Sequence, residues 1–214
     1  YQSHEDVQAD GNSWLTALQD QRLVIYMAVN VMFTLYIAQI QSTAPLYLTN
    51  FIEFSPQVIS GLFAWHIVFA SVCQLPIARR LNGLSRPHAL MVSLLLWGMG
   101  FTVMWGAGIG AIPALVGAIA SLGILALATD AYTPAASALV VDLAPASQRG
   151  VYLALNSQCW AIGYLIGPPI GGWALDEVPA IAHGFWLAGA VSIVPCLLTL
   201  RYLETLITHK KTEG

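Results

Sequence analysis

Residues 162–172 read IGYLIGPPIGG, an apolar run interrupted by four glycines and two adjacent prolines. In a water-exposed helix each Gly costs about 1 kcal/mol and each Pro about 3 kcal/mol relative to Ala. Gly163, Gly167 and Gly171 recur every four residues and share one helical face, with Asn156 seven residues earlier on that face. Inside a bilayer this doubled small-xxx-small spacing admits a second helix backbone at close range. Pro168 and Pro169 withhold N–H groups from the carbonyls of Tyr164 and Leu165, so a bend is expected in this half of the helix. A membrane tolerates such defects where neighbouring helices or water take up the freed carbonyls.

The composition puts the whole chain in that solvent. Its 214 residues are 57% hydrophobic and 9% charged, with a mean hydropathy of +0.68, whereas soluble domains carry about 25% charged residues. A net charge of −3 without a basic cluster excludes a nucleic-acid partner. Cys73, Cys159 and Cys196 lie inside apolar runs without metal-like spacing and read as small buried hydrophobes. No metal and no cofactor is expected. The opening stretch YQSHEDVQADGNSW lacks the basic start and apolar core of a signal peptide. Beginning at Tyr1, it reads as a piece of a longer precursor.

A spanning helix needs about 20 apolar residues. Six segments approach or meet this length: 23–49, 58–78, 89–107, 112–141, 151–175 and 185–200. The expected fold is all-α and polytopic, with segment 1–22 before the spans and a tail at 204–214. Six crossings put Arg22, Arg79, Arg80, Arg86, Arg149, Arg201, Lys210 and Lys211, every Lys and Arg in the chain, on one side. The opposite loops carry only Glu53, Asp176 and Glu177. By the positive-inside rule both termini are expected in the cytoplasm, in a plasma (inner) membrane protein. The connections leave no room for a folded domain outside the bilayer.

A few polar residues interrupt the spans. Asp130 sits about 18 Å from the nearer end of the fourth, close to the midplane. A carboxylate there is costly and faces the bundle interior or a wet cavity, as a proton carrier, a contact for a cationic substrate, or a structural acid. Asn30, Thr34 and Gln41 share a face of the first span, with Gln39 on the other side. That stripe reads as cavity lining, or else as interhelical hydrogen bonding. His66 in the second span is a packed hydrogen-bonding residue or a proton relay.

At this point the chain resembles the major facilitator superfamily of transporters, and its drug exporters in particular. GYLIGPPIGG fits the end of their motif G-x(8)-G-x(3)-G-P-x(2)-G-G through Gly163, Gly167, Pro168, Gly171 and Gly172, with Ala154 in place of the first glycine. VVDLAPASQRG resembles the D-x-A-P-x(3)-R-G turn through Asp142, Ala144, Pro145, Arg149 and Gly150. QLPIARRLNGLSRPHAL resembles the degenerate second copy of the cytoplasmic motif G-x(3)-D-R-x-G-R. There Ala78, Asn82, Gly83 and Ser85 depart from it and Arg86 alone is kept, so a charge relay at this loop is in question. QDQRLVIYM and APLYL resemble the start and end of the seventh helix of twelve.

The resemblance covers residues 20 to about 203 and implies the C-terminal six-helix half of the fold, 23–203, as two inverted three-helix repeats. It implies alternating-access transport of a small molecule, by proton-coupled efflux in an antiporter, without enzymatic chemistry. The implied partners are the substrate, protons, the lipid bilayer, and a missing N-terminal half or a second copy. The first helix of each triplet would line the cavity, which is where Asn30, Gln41 and Asp130 fall. Two alternatives remain. One is a truncated or split half, inert alone or docking with a separate partner. The other is a six-span intramembrane protease, which lacks its Gly-x-Ser-Gly nucleophile (only Ser60-Gly61 is near) and a His in the last span.

Overall fold

A computed structural model describes residues 14–212, with side chains to residue 208. The expected segments at 1–13 and 213–214 lie outside the described residues. Among the described residues every regular element is helical. After a short turn at 14–18 come α1 (Gln21–Gln41), α2 (Thr43–Asn50), α3 (Pro56–Leu81), α4 (Arg86–Gly108) and α5 (Ala114–Leu143). A 3₁₀ turn (Ala146–Gln148) leads to α6 (Arg149–Asp176), α7 (Pro179–Val191) and α8 (Ile193–Thr212).

Prolines and short side chains set these boundaries. Ser55 and Ser85 cap α3 and α4, accepting from the N–H groups of Val58 and His88, and each is followed by Pro at the first or second helical position. Two spans break in the middle by one mechanism. Pro45 has no N–H for the carbonyl of Gln41, and α1 ends at Gln41; Pro195 denies one to Val191, and α7 ends at Val191. The breaks are one residue wide, at Ser42 and Ser192, so α1–α2 and α7–α8 each remain a single crossing. Gly110, at φ +75°, turns the chain between α4 and α5.

Helices α1, α3, α4, α5 and the α7–α8 unit are long and apolar enough to cross a bilayer. The expected fifth span is α6, whose 28 residues reach about 42 Å, long enough to cross. It falls short of the apolarity of the other five, since it carries Asn156, Ser157, Gln158 and the glycine–proline run. The last span is longer than the expected 185–200. It begins at Pro179, where the missing N–H costs nothing, and its helix runs past Arg201 to Thr212.

The spans form two triplets, α1/α2–α3–α4 and α5–α6–α7/α8. Between the triplets α4 lies along α5 and α1 along α6, while α3 leans on α5 and α8 closes against α1 and α4. Arg22, Asn82, Arg86, Asp142 and Ile207 border one common cavity, which gathers the arginine-bearing turns at one end. Tyr47, Gly108 and His183 meet at the opposite end, Tyr47 Oη lying 2.7 Å from His183 Nδ1. The exposed surface is apolar. α3 buries only 6% of its apolar window and presents Ile67, Val68, Val72 and Leu75 outward. Water would not tolerate that face; hydrocarbon does.

Candidate functional site

The glycine stripe of α6 packs on α1. A Cβ built at Gly163 would lie 2.8 Å from the Leu35 backbone nitrogen; at Gly167, 2.8 Å from Ala38 Cβ; at Gly171, 2.9 Å from Thr43 Cβ. Gly172, which matches the motif, lies one residue on and about 100° round the helix, meets nothing and stands outside the packing face. Pro168 and Pro169 ride within an unbroken helix.

Polar groups flank this seam on both sides. Asn156 Oδ1 accepts from Asn30 Nδ2 (2.9 Å) and Tyr26 Oη (3.3 Å), and Asn30 Oδ1 accepts from Tyr132 Oη on α5 (2.7 Å). Thr34 Oγ1 donates to the Cys159 carbonyl at 2.8 Å, and Gln39 Nε2 to that of Gly167 at 2.9 Å. Asn30 and Thr34 are 0% exposed, so in this conformation they bind helices together and do not line open space. Of the two readings of the stripe, interhelical hydrogen bonding describes Asn30 and Thr34 in this conformation. Gln39, assigned to the opposite face, curls its long amide back onto α6, and Gln41 alone of the predicted set stays exposed. Each such interhelical bond is worth about 0.6 kcal/mol.

Gln41 borders a different space. With His66, Thr129, Phe63 and Pro45 it lines a cavity of about 380 Å³ between α1/α2, α3 and α5. His66 Nδ1 lies 2.8 Å from the Leu122 carbonyl, which only accepts, so Nδ1 carries a proton. Next to Thr129 is Asp130, 8% exposed, whose Oδ2 is buried without a hydrogen-bond partner. Pro134, four residues on, has no N–H for the Asp130 carbonyl. One residue in mid-span therefore offers a carboxylate oxygen with nothing to accept from and a carbonyl denied its helical donor. That pairing suits a proton or a cationic group.

The basic end is held by a few charged contacts. Asp20 caps α1, accepting from the Arg22 N–H (3.0 Å) and guanidinium (2.9 Å) and from Tyr152 Oη on α6 (3.0 Å). Burial pushes its carboxyl up, but the bonds and charge of Arg22, with Tyr152, prevail and hold it below its ordinary 3.8. This contribution is present above pH 3.8 and lost as pH falls through the lowered value. Asp20→Ala is expected to cost about 1 kcal/mol at neutral pH, read as a lower melting temperature in detergent. The loss should vanish in acid. Arg86 retains a partner in the divergent loop: Nε lies 3.5 Å from Asp142 Oδ2, both well exposed, at the rim of a 590 Å³ cavity. In that setting the pair is worth about 1 kcal/mol at most. Arg149 and Gly150 start α6, both exposed, and the space beside Gly150 is open.

The all-helical bundle of apolar spans, the glycine seam and the mid-span acid agree with one more observation. The sequence profile of the Major Facilitator Superfamily matches residues 23–213. The chain belongs to that superfamily. Among its relatives is a protein named multidrug resistance protein MdtH from Citrobacter koseri, 27% identical over 91% of this chain and 47% of the relative. The MdtH protein of Salmonella newport is 26% identical over the same shares. An uncharacterized MFS-type transporter from Methanocaldococcus jannaschii is 28% identical over 38% of this chain and 21% of its own length. The chain spans about half the length of the MdtH relatives it matches. As a superfamily member with apolar spans, it is an integral membrane protein of a transporter family.

Within this superfamily chain, the structure brings Gln41 and His66 to one cavity with Thr129, leaves Asp130 outside its lining, and assigns Asn30 and Thr34 to the α1–α6 seam. Sequence reasoning missed Tyr26, Gln39 and Tyr132 as parts of the polar network. Tyr132 was detectable: a hydroxyl two residues from a buried acid must find a partner. Among the described residues no three His, Cys, Asp or Glu side chains converge as a metal set.

Proposed function

We propose that the complete protein is an alternating-access exporter of small amphipathic molecules driven by proton exchange, and that this chain is its C-terminal half. Its termini would lie in the cytoplasm and its spans in the plasma membrane. The observation that carries this reading is Asp130: a mid-span carboxylate with a buried, unpartnered oxygen, next in sequence to Thr129, which borders a cavity with Gln41 and His66. An acid kept at such cost without a partner suits a group that changes its proton during a cycle. The multidrug-resistance name of the MdtH relatives supports export as the direction. The thinly buried α3 offers a flank for the N-terminal half or for a second copy.

The test is reconstitution into liposomes, with and without the N-terminal half, and a lipophilic cationic dye under an imposed pH gradient. Dye movement is expected when both halves are present and should stop when a protonophore collapses the gradient. Undiminished movement after collapse removes proton exchange. Equal movement by this chain alone replaces the two-half reading with a homodimer.

A further inference from the structure

The face of α1 opposite the polar cavity carries a second space. Met32, Leu35 and Tyr36 form its floor, α6 contributes Ile170, and α7 contributes Trp186 and Ala188. Their stripe on α1 lies roughly 145° round the helix from that of Ile37, Ile40 and Gln41. The groove therefore opens between α6 and α7, away from the face where a partner half would complete the polar cavity. Its volume is about 350 Å³. A cavity of about 150 Å³ accepts benzene, so this one has room for roughly a dozen carbons in a row.

The groove offers an occupant no hydrogen bond of consequence. Ser192 Oγ donates to the Gly189 carbonyl (2.7 Å), which leaves Tyr36 Oη as the donor to Ser192 (2.7 Å). Gln39 is engaged by Gly167 and by Thr43. Trp186 is 1% exposed, and its Nε1, though without a hydrogen-bond partner, is buried out of reach of an occupant. A polar ligand would lose its hydration here for nothing, whereas a hydrocarbon chain loses nothing. Depth agrees. Trp186 lies about 10 Å along the span from Pro179, within the leaflet opposite the arginine-bearing end, and Ser192 about 20 Å along it, near the midplane.

We infer that the α6–α7 groove is a resident site for one acyl chain of a phospholipid from that leaflet. Ile170, beside Pro168 and Pro169, puts the chain against the weakest part of α6, so the lipid fills the space into which this helix would otherwise collapse. The inference rests on the groove and the membrane location alone and stands apart from the transport reading.

Native mass spectrometry of the full chain, extracted from palmitoyl-oleoyl phosphatidylcholine vesicles, tests it. One phospholipid per chain is expected to survive detergent exchange. Ala188→Phe, at an exposed position on the groove wall, should lower that retention about tenfold. Leu165→Phe, at a site 75% exposed on α6 and outside the groove, should leave it unchanged, as should phosphatidylglycerol with the same chains. Retention unaffected by Ala188→Phe overturns the site, as does retention that follows headgroup charge. A change of oligomeric state in Ala188→Phe without lipid loss would make the groove a contact between copies and equally overturn it.

Discussion

Gly163→Ala, a single added methyl, is expected to open the α1–α6 seam. The new Cβ would sit 2.7 Å from Thr34 Cβ and 2.8 Å from the backbone nitrogen of Leu35. A side-chain tip could swing away, but a backbone atom in the middle of α1 moves only if the helix moves. Displacing α1 also strains the bonds from Asn30 to Asn156 and from Thr34 to the Cys159 carbonyl, about two turns and one turn of α6 from the clash. Overpacking of this kind costs about 1–3 kcal/mol, and the backbone contact puts Gly163 at the upper end. The measurement is built into the seam: Cys159 is 0% exposed beneath it. A thiol-reactive dye should label Cys159 faster and at lower temperature in Gly163→Ala than in the parent. Gly172→Ala and Gly150→Ala, at glycines with open space, should melt like the parent. Equal labelling in all three would mean that the stripe is not a packing device.

Spacing alone exposed the stripe but not its partner. Residues four apart share a face whatever lies against it; that the face meets α1 depends on a crossing between distant segments. The same limit explains Asn30 and Thr34. A helical wheel groups them, but a polar face looks alike whether it meets water or another helix's asparagine. Gln39 was hidden by its length, since a side chain with three rotatable bonds reaches around to a face its Cα does not point at. The grouping of basic turns depends only on charge counts, and Arg22 and Arg86 do border one cavity, with Asp142. The mid-span breaks were legible in principle. Pro45 and Pro195 each stand four residues after the helix end they cause. The last helix starts earlier than the expected 185 because Pro179 stands at the first helical position, where its missing N–H costs nothing.

The two halves of α1 do different work, and the mutant effects should separate accordingly. Its α6-facing side is closed by glycines and amide bonds, so changes there register in stability. The side bearing Ile37, Ile40 and Gln41 opens toward His66 and Thr129, where changes should register in transport while melting stays unchanged.

Asp130→Asn is where that separation should be widest. A structural acid is held by donors, and replacing it by the amide breaks those bonds and lowers stability. Asp130 has none at Oδ2, and its own carbonyl is denied a helical donor by Pro134. The substitution therefore removes the cost of keeping a charge in hydrocarbon without breaking a bond to that oxygen. The melting temperature should stay level or rise. Transport should move the other way. If the carboxyl carries the exchanged proton, an amide that never ionises ends the exchange, and gradient-driven transport in the complete protein should fall on the order of a hundredfold, the low end for a positioned proton-transfer group. The residual activity should also lose its pH dependence, whereas Asp130→Glu should keep part of it. Full activity with an unchanged pH profile in Asp130→Asn would take Asp130 out of the mechanism, and a lower melting temperature with normal coupling would make it a structural acid after all.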